Sequence, residues 1–282
     1  MTPKVAHTGT NACATSYAVC RRIARTRARN FYYSFLLLSR PQRDAMCAIY
    51  AFMRYCDDIS EREGASREAI DRWRSDLDRA LAGEYGDNPL WPAFHDTVRR
   101  YRIPPEYFHE MIAGVSSDLE PRQIQSFDEL YRYCYQVASV VGLTIVHIFG
   151  FESEEALPLA EKCGIAFQLT NILRDVREDV ENRRVYIPAE DIQRFGAGLA
   201  KRDESFVRLL SFEAERARRY YDESRPLLGL VHKRSRRSLW ALIEIYRRLL
   251  TRIERSRFDV LARRIRVPTW EKLAILASAA LR

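Results

Sequence analysis

Apolar residues in this chain recur mostly at three- and four-residue spacing, the period of a helix that buries one face. Helices are expected at about 17–29, 42–60, 66–82, 88–101, 105–117, 126–150, 154–181, 201–228, 235–257 and 269–281. The breaks between them carry helix-stopping residues: Pro41, Gly83 to Pro89, Pro104-Pro105, Pro121, Pro188, Gly196 to Gly198 and Pro268. Ser126 followed by Glu129 has the form of a capping box opening a long central helix. Alternating strand-like runs are scarce and no internal repeat or long linker is evident. The pattern therefore gives a single all-α domain over 17–282, with residues 1–16 read as a flexible tail. The longest apolar run, Val137 to Phe151, is broken by Ser139, Gly142, Thr144 and His147. It falls short of the roughly 20 apolar residues a membrane span needs, so it reads as a helix buried in a bundle.

Composition refines this picture without changing it. The 282 residues are 47% hydrophobic and 30% charged, enough for a large core and a soluble surface. The net charge is +8, and 41 of the 46 basic residues are arginine. Arginine forks match phosphate groups bidentately, although codon bias alone would also enrich them. The six cysteines form no C-x-x-C pair and read as small buried hydrophobes of a cytoplasmic protein. The five histidines show no metal-ligand spacing.

Chemistry concentrates in two acidic stretches about a hundred residues apart, Asp57-Asp58-Ile59-Ser60-Glu61 and Asp175-Val176-Arg177-Glu178-Asp179. In each, acids at i and i+4 stack on one helix face, where like charges repel by roughly 0.2–0.5 kcal/mol per pair. The first also sits at the C-terminal end of its helix, where the macrodipole disfavours acids. A cation shared between the two stretches would remove both conflicts. Tyr50 and Arg54 precede the first stretch on the same side. Gln168, Asn171, Asp175 and Asp179 form an oxygen-rich ladder suited to Mg2+, with Mn2+ as an alternative, and no Cys/His set favours Zn2+. Arg184 and Tyr186 follow in a loop able to fold over a metal and its anion. Gly142 in mid-helix makes room either for a neighbouring helix or for a ligand chain.

Four segments resemble the squalene/phytoene synthase family of head-to-head prenyltransferases. They are Asn30-Phe31-Tyr32-Tyr33, Ala48 to Asp58, Tyr133 to Gly142, and Gln168 to Asp179, within a resemblance that spans about Arg25 to Leu276. The resemblance implies a terpenoid-synthase helical bundle around a central cavity holding two prenyl diphosphates. It implies metal binding by Asp57, Asp58, Glu61, Asn171, Asp175 and Asp179. Arg54, Arg174 and Arg184 match diphosphate-contacting positions, and Tyr50, Tyr133, Gln168 and Tyr246 match cavity residues near the reacting carbons. Val137 and Gly142 belong to the third segment and are expected along the substrate chains. Two departures stand out: Glu61 replaces the usual Asp, and Asn30 stands where Ser or Thr is common.

The implied reaction is ionisation of one prenyl diphosphate and attack by the second, giving a cyclopropylcarbinyl diphosphate. The departing diphosphate serves as proton acceptor, so no histidine base is needed. Local text leans toward farnesyl (C15) substrates and presqualene diphosphate or squalene, with geranylgeranyl (C20) substrates and phytoene as the alternative. Use of NADPH stays open, since the absence of a G-x-G-x-x-G fingerprint does not discriminate within the family. A basic helical nucleic-acid binder or an inactive scaffold is the competing class, and the acidic ladders argue against it. The basic clusters Arg21 to Arg29 and Lys233 to Arg237 are also placed to touch an anionic membrane from the cytoplasmic side.

Overall fold

The computed structural model describes residues 8–61 and 66–282. The side chains of Asn30 and Glu61, both singled out above, lie outside the described residues. In chain order the helices are α1 (Thr8–Arg27), α2 (Arg29–Phe35), α3 (Arg40–Glu61), α4 (Arg67–Leu81), α5 (Trp91–Tyr101), α6 (Glu106–Ser116) and α7 (Phe127–Cys134). They continue as α8 (Val140–Phe149), α9 (Ala156–Glu181), α10 (Ala189–Phe195), α11 (Glu204–Glu223), α12 (Leu227–Leu230), α13 (Lys233–Arg255) and α14 (Thr269–Ala280). A two-residue strand β1 (Arg122–Gln123) pairs in parallel with β2 (Arg184–Val185), with Arg122 opposite Arg184. Among the described residues no helix is long and apolar enough to cross a membrane.

Several boundaries follow from local chemistry. Ser66 caps α4 by accepting the Ala69 N–H at 3.3 Å, and Asp203 caps α11 by accepting the Phe206 N–H at 2.9 Å. Ser126 accepts the Glu129 N–H at 3.3 Å, while the Glu129 carboxylate takes the Gln125 N–H at 2.8 Å, one residue upstream of a standard capping box. Gly150 and Gly196 end α8 and α10 with positive φ of 75° and 58°.

The structure corrects three expectations. Residues 8–16, read as tail, are helical, and Ser16 is buried against α5, donating to Leu90 O at 3.2 Å and accepting from Ala93 N at 2.9 Å. The short helices α2 and α10 were not anticipated. The expected helix over 126–150 is interrupted by a π turn at Tyr135–Ser139 between α7 and α8. Two glycines make room for this wide turn. A Cβ on Gly114 of α6 would lie 2.7 Å from Val137 Cγ1, and one on Gly164 of α9 would lie 2.5 Å from Ser139 Cα.

α9 runs through the middle of the bundle, packed by α8, α11, α13 and the π turn. Beneath α3, Phe52 stacks on Trp73 at 5.6 Å and Phe94 at 4.8 Å and meets Phe108 edge-on at 5.3 Å. Trp73 Nε1 donates to Cys56 Sγ at 3.0 Å. This aromatic plug fixes the turn of α3 that carries Asp57 and Asp58.

Candidate active site

A cavity of about 680 Å3 opens between α3, α6, α8, α9 and α13. One end is acidic. Asp57 reaches it from α3, and Gln168, Asn171, Arg174, Asp175, Glu178 and Asp179 reach it from successive turns of α9. The i, i+3, i+4 and i+7 spacing on α9 thus becomes a continuous polar wall. Asp57 and Asp175 face one shared hollow.

Arginines hold these carboxylates. Arg54 pairs with Asp58 and approaches Asp57 at 3.9 Å. Arg174 grips Asp175 bidentately, its Nε donating to Oδ1 at 2.8 Å. Arg264, from the segment between α13 and α14, bridges Asp175 at 3.0 Å and Glu178 at 2.7 Å. Among the described residues no arginine clasps Asp179. Burial, and then the charges of Asp175, Glu178 and Asp118, push its pKa up to about 8 against the opposing pull of Arg184.

A second polar group closes over this wall. Asp118 follows α6 in a short 3-10 turn and accepts hydrogen bonds from Tyr186 at 2.8 Å and Tyr133 at 2.9 Å. The two tyrosine rings stack at 4.7 Å. Arg184 donates to the Asp118 backbone carbonyl at 2.6 Å. The β1–β2 pairing holds the 184–186 loop in this place. The turn into it passes through Arg183 in the left-handed region at φ 58°. Burial raises the Asp118 pKa, while the two tyrosine hydrogen bonds and then Arg184 and Arg122 resist the rise.

The other end is apolar. Val137 and Ala138 on the π turn, Val141 and Ile145 on α8, and Leu239 and Leu242 on α13 line it. Phe167 and Tyr246 stack at 4.2 Å along one side. Gly142 lines the cavity too, but its missing side chain faces α9: a Cβ there would lie 2.9 Å from the Ala160 carbonyl oxygen. Close helix packing therefore accounts for this glycine.

Of the residues singled out in the sequence, Asp57, Tyr133, Val137, Gly142, Gln168, Asn171, Arg174, Asp175, Asp179, Arg184 and Tyr246 converge on the cavity. Tyr50, Arg54 and Asp58 are not among its lining residues; Tyr50 is half-buried on α3, and its pKa is pushed up to about 12 by burial. Asp118 and Arg264 were missed. An acid just past the C-terminal end of α6 repeats the dipole conflict noted for Asp57 and was a readable signal. Arg264 sits in an arginine-rich run with nothing to distinguish it.

The donor set fits a hard divalent cation, since the polar wall offers carboxylate and amide oxygens. Asn171 Oδ1 is buried without a hydrogen-bond partner, and Asp179 sits among like charges. Among the described residues no three acidic, His or Cys side chains are already drawn together at metal-binding distance.

Comparison with known proteins places the fold and the family. The squalene/phytoene synthase family profile matches residues 24–271. A phytoene synthase of Arthrospira platensis is 35% identical over 292 aligned residues, covering 95% of this chain and 93% of that one. The phytoene synthase of Mycobacterium tuberculosis is 36% identical, covering 94% and 90%. Among solved structures, a dehydrosqualene synthase in complex with a ligand superposes with a TM-score of 0.89 at 26% identity, over 97% of this chain and 98% of that one. A squalene synthase from Alicyclobacillus acidocaldarius superposes with a TM-score of 0.82 at 28% identity, over 89% and 99%. The all-α bundle, the shared acidic cavity and these matches together make the chain a member of the squalene/phytoene synthase family, a transferase that joins prenyl groups head to head.

Proposed function

We propose that the chain joins two farnesyl diphosphates to give presqualene diphosphate or squalene. The observation that supports this choice is the superposition on dehydrosqualene and squalene synthases over nearly the whole chain. The two ends of the cavity suit the two ends of such a substrate, a polyanionic head and an apolar tail. A second reading, two geranylgeranyl diphosphates giving phytoene, is favoured by the names of the more similar sequence relatives.

In this reading Asp57, Asp58, Asn171, Asp175 and Asp179 are the described residues that would hold Mg2+, and Glu61 is the remaining member of the first motif. Mg2+, when bound, supplies positive charge that offsets the leaving diphosphate. Arg174, Arg184 and Arg264 would orient the diphosphate by turning guanidinium N–H groups toward it from their present partners Asp175, the Asp118 carbonyl and Glu178. As the C1–O bond of the donor breaks, its electron pair leaves with the diphosphate. The double bond of the second substrate then attacks C1. A proton leaves as the cyclopropane ring closes, and no histidine lies among the described lining residues to take it. The diphosphate, held at the polar end, is the base within reach. The faces of Tyr133 and Tyr246 line the path of the developing cation. The apolar half excludes water, which would otherwise quench that cation.

The test is incubation with farnesyl or geranylgeranyl diphosphate and Mg2+, with and without NADPH, followed by product mass. A thirty-carbon product from the farnesyl substrate supports the first reading. A forty-carbon product alone replaces it with the second.

A further inference from the structure

α14 is built inside out. Its charged residues Glu271 and Lys272 are buried at 8% and 9% exposure, whereas Trp270 is 68% exposed and Leu273 51%. The inner face, Ile275 and Ala279, packs on Ala241 and Ile245 of α13. Glu271 is clasped by Arg248 and Arg252, and Lys272 lies over the Tyr33 ring at 5.5 Å. The outer stripe, Trp270, Leu273, Ala274, Ala277 and Leu281, repeats at three- and four-residue spacing and is apolar throughout. Of the five large hydrophobic side chains exposed among the described residues, three lie on this stripe. A fourth, Leu36, follows α2, against which α14 packs. A stripe of this kind in water implies a partner.

The surroundings identify its chemistry. Residues 262–282 carry five basic residues against one acid. Beside α14 lies a hollow of about 620 Å3 lined by Arg248, Arg252, Arg255, Arg263, Arg264 and Arg266, with Glu271 as its acid. Arg255 and Arg266 are exposed and make no ion pair among the described residues. A second copy of the chain would meet this rim with the same arginines, because a two-fold interface repeats one surface on both sides. An anionic lipid surface meets both features, taking Trp and Leu at the headgroup–acyl boundary and arginines at the phosphates.

We infer that the outer face of α14 docks the protein on an anionic bilayer, with the arginine hollow beside it seated on lipid phosphates. This surface is distinct from the basic clusters of α1 and the start of α13. A further hollow, which includes Pro268, Thr269 and Lys272 at the start of α14, shares Arg174 and Arg264 with the catalytic cavity. Docking therefore brings that side of the site to the membrane that holds greasy substrate and product. The inference does not depend on which prenyl chain is used.

Flotation of the full-length purified protein with vesicles tests it. Wild type is expected to float with phosphatidylglycerol-containing vesicles, less so as salt rises, and not with pure phosphatidylcholine. Trp270→Glu combined with Leu273→Glu is expected to weaken partitioning by about tenfold or more, from the lost burial of two large side chains. Arg255→Gln with Arg266→Gln is expected to flatten the salt dependence. Both double variants should keep wild-type turnover on detergent-dispersed substrate. Absence of that turnover in the wild type would count against prenyl transfer, not against docking. Equal flotation of wild type and the Trp270/Leu273 variant overturns the inference. So does a wild-type dimer in sedimentation that the same pair dissociates, or flotation indifferent to lipid charge.

Discussion

The two acidic stretches are near twins in sequence and unlike in structure. On α3, Asp57 leaves 48% of its side chain exposed, and its turn rests on an aromatic plug. On α9, Asp175 is only 15% exposed and is clasped by two arginines, and Asp179 beside it is half-buried among three other acids. One cluster is an open jaw supported from behind, and the other is a tensioned wall. Spacing puts carboxylates on a common face in both cases. Each cluster has an arginine on its own helix, Arg54 or Arg174; the difference in burial and the added clasp of Arg264 come from segments far away in the chain.

The contrast is most sharply tested by removing one carboxylate from each side. Asp57→Ala and Asp175→Ala should each lower kcat by about a thousandfold, on the scale of losing an electrostatic contact made in the transition state. Their stabilities should diverge. Asp175→Ala leaves Arg174 and Arg264 short of a partner and should cost about 1–3 kcal/mol in urea unfolding. Asp57→Ala should stay within about 0.5 kcal/mol of wild type. Equal destabilisation would erase the distinction.

The same contrast shows in the pH dependence of the chelator-treated protein. Folded, Asp179 keeps its proton up to about 8; unfolded, it releases it near its ordinary value of 3.8. Between these limits the unfolded chain binds fewer protons, so stability falls as pH rises, by at most about 1.4 kcal/mol per pH unit from this group. Asp179→Asn should remove that share. The slope that remains includes Glu213, also raised to about 8, by burial foremost and then by Asp191 against the pull of Arg216. An unchanged slope in the variant would mean the wall carries no such tension.

Gly164→Ala, which presses a methyl into the backbone at Ser139, should cost about 1–3 kcal/mol in thermal or urea unfolding. Gly142→Ala meets its obstacle at 2.9 Å where Gly164→Ala meets one at 2.5 Å, so it should cost less. Should both be neutral, α9 is not held against α8 as tightly as the geometry implies.

Much of this architecture was legible in the chain. Proline and glycine punctuation located most of the long helices, and three of the four motifs, those of α3, of the π turn with its flanks, and of α9, fall on the cavity wall. What escaped did so for identifiable reasons. α2 and α10 span only seven residues each, too short for periodicity to register. The first turns of α1 are small and polar yet helical, and Ser16 within that helix is held by hydrogen bonds to α5, a contact no local pattern encodes. Asp118 owes its role to Tyr133 and Tyr186, which approach it from 15 and 68 residues away in sequence. The spacing that placed Tyr50 and Arg54 beside Asp57 gave their shared side of α3 correctly, but it could not say how far along that side the cavity extends.

The π turn sets the rotational phase of everything after it. An α-helix advances about 100° per residue, so deleting one residue between Tyr135 and Ser139 would tighten the turn and swivel α8 by roughly that angle. Val141 and Ile145 would swing away from the substrate side, and Gly142 would no longer meet Ala160. The hydrophobic half of this enzyme is therefore aimed by a single surplus amino acid, and lengthening or shortening that segment is a more drastic change than replacing any side chain on it.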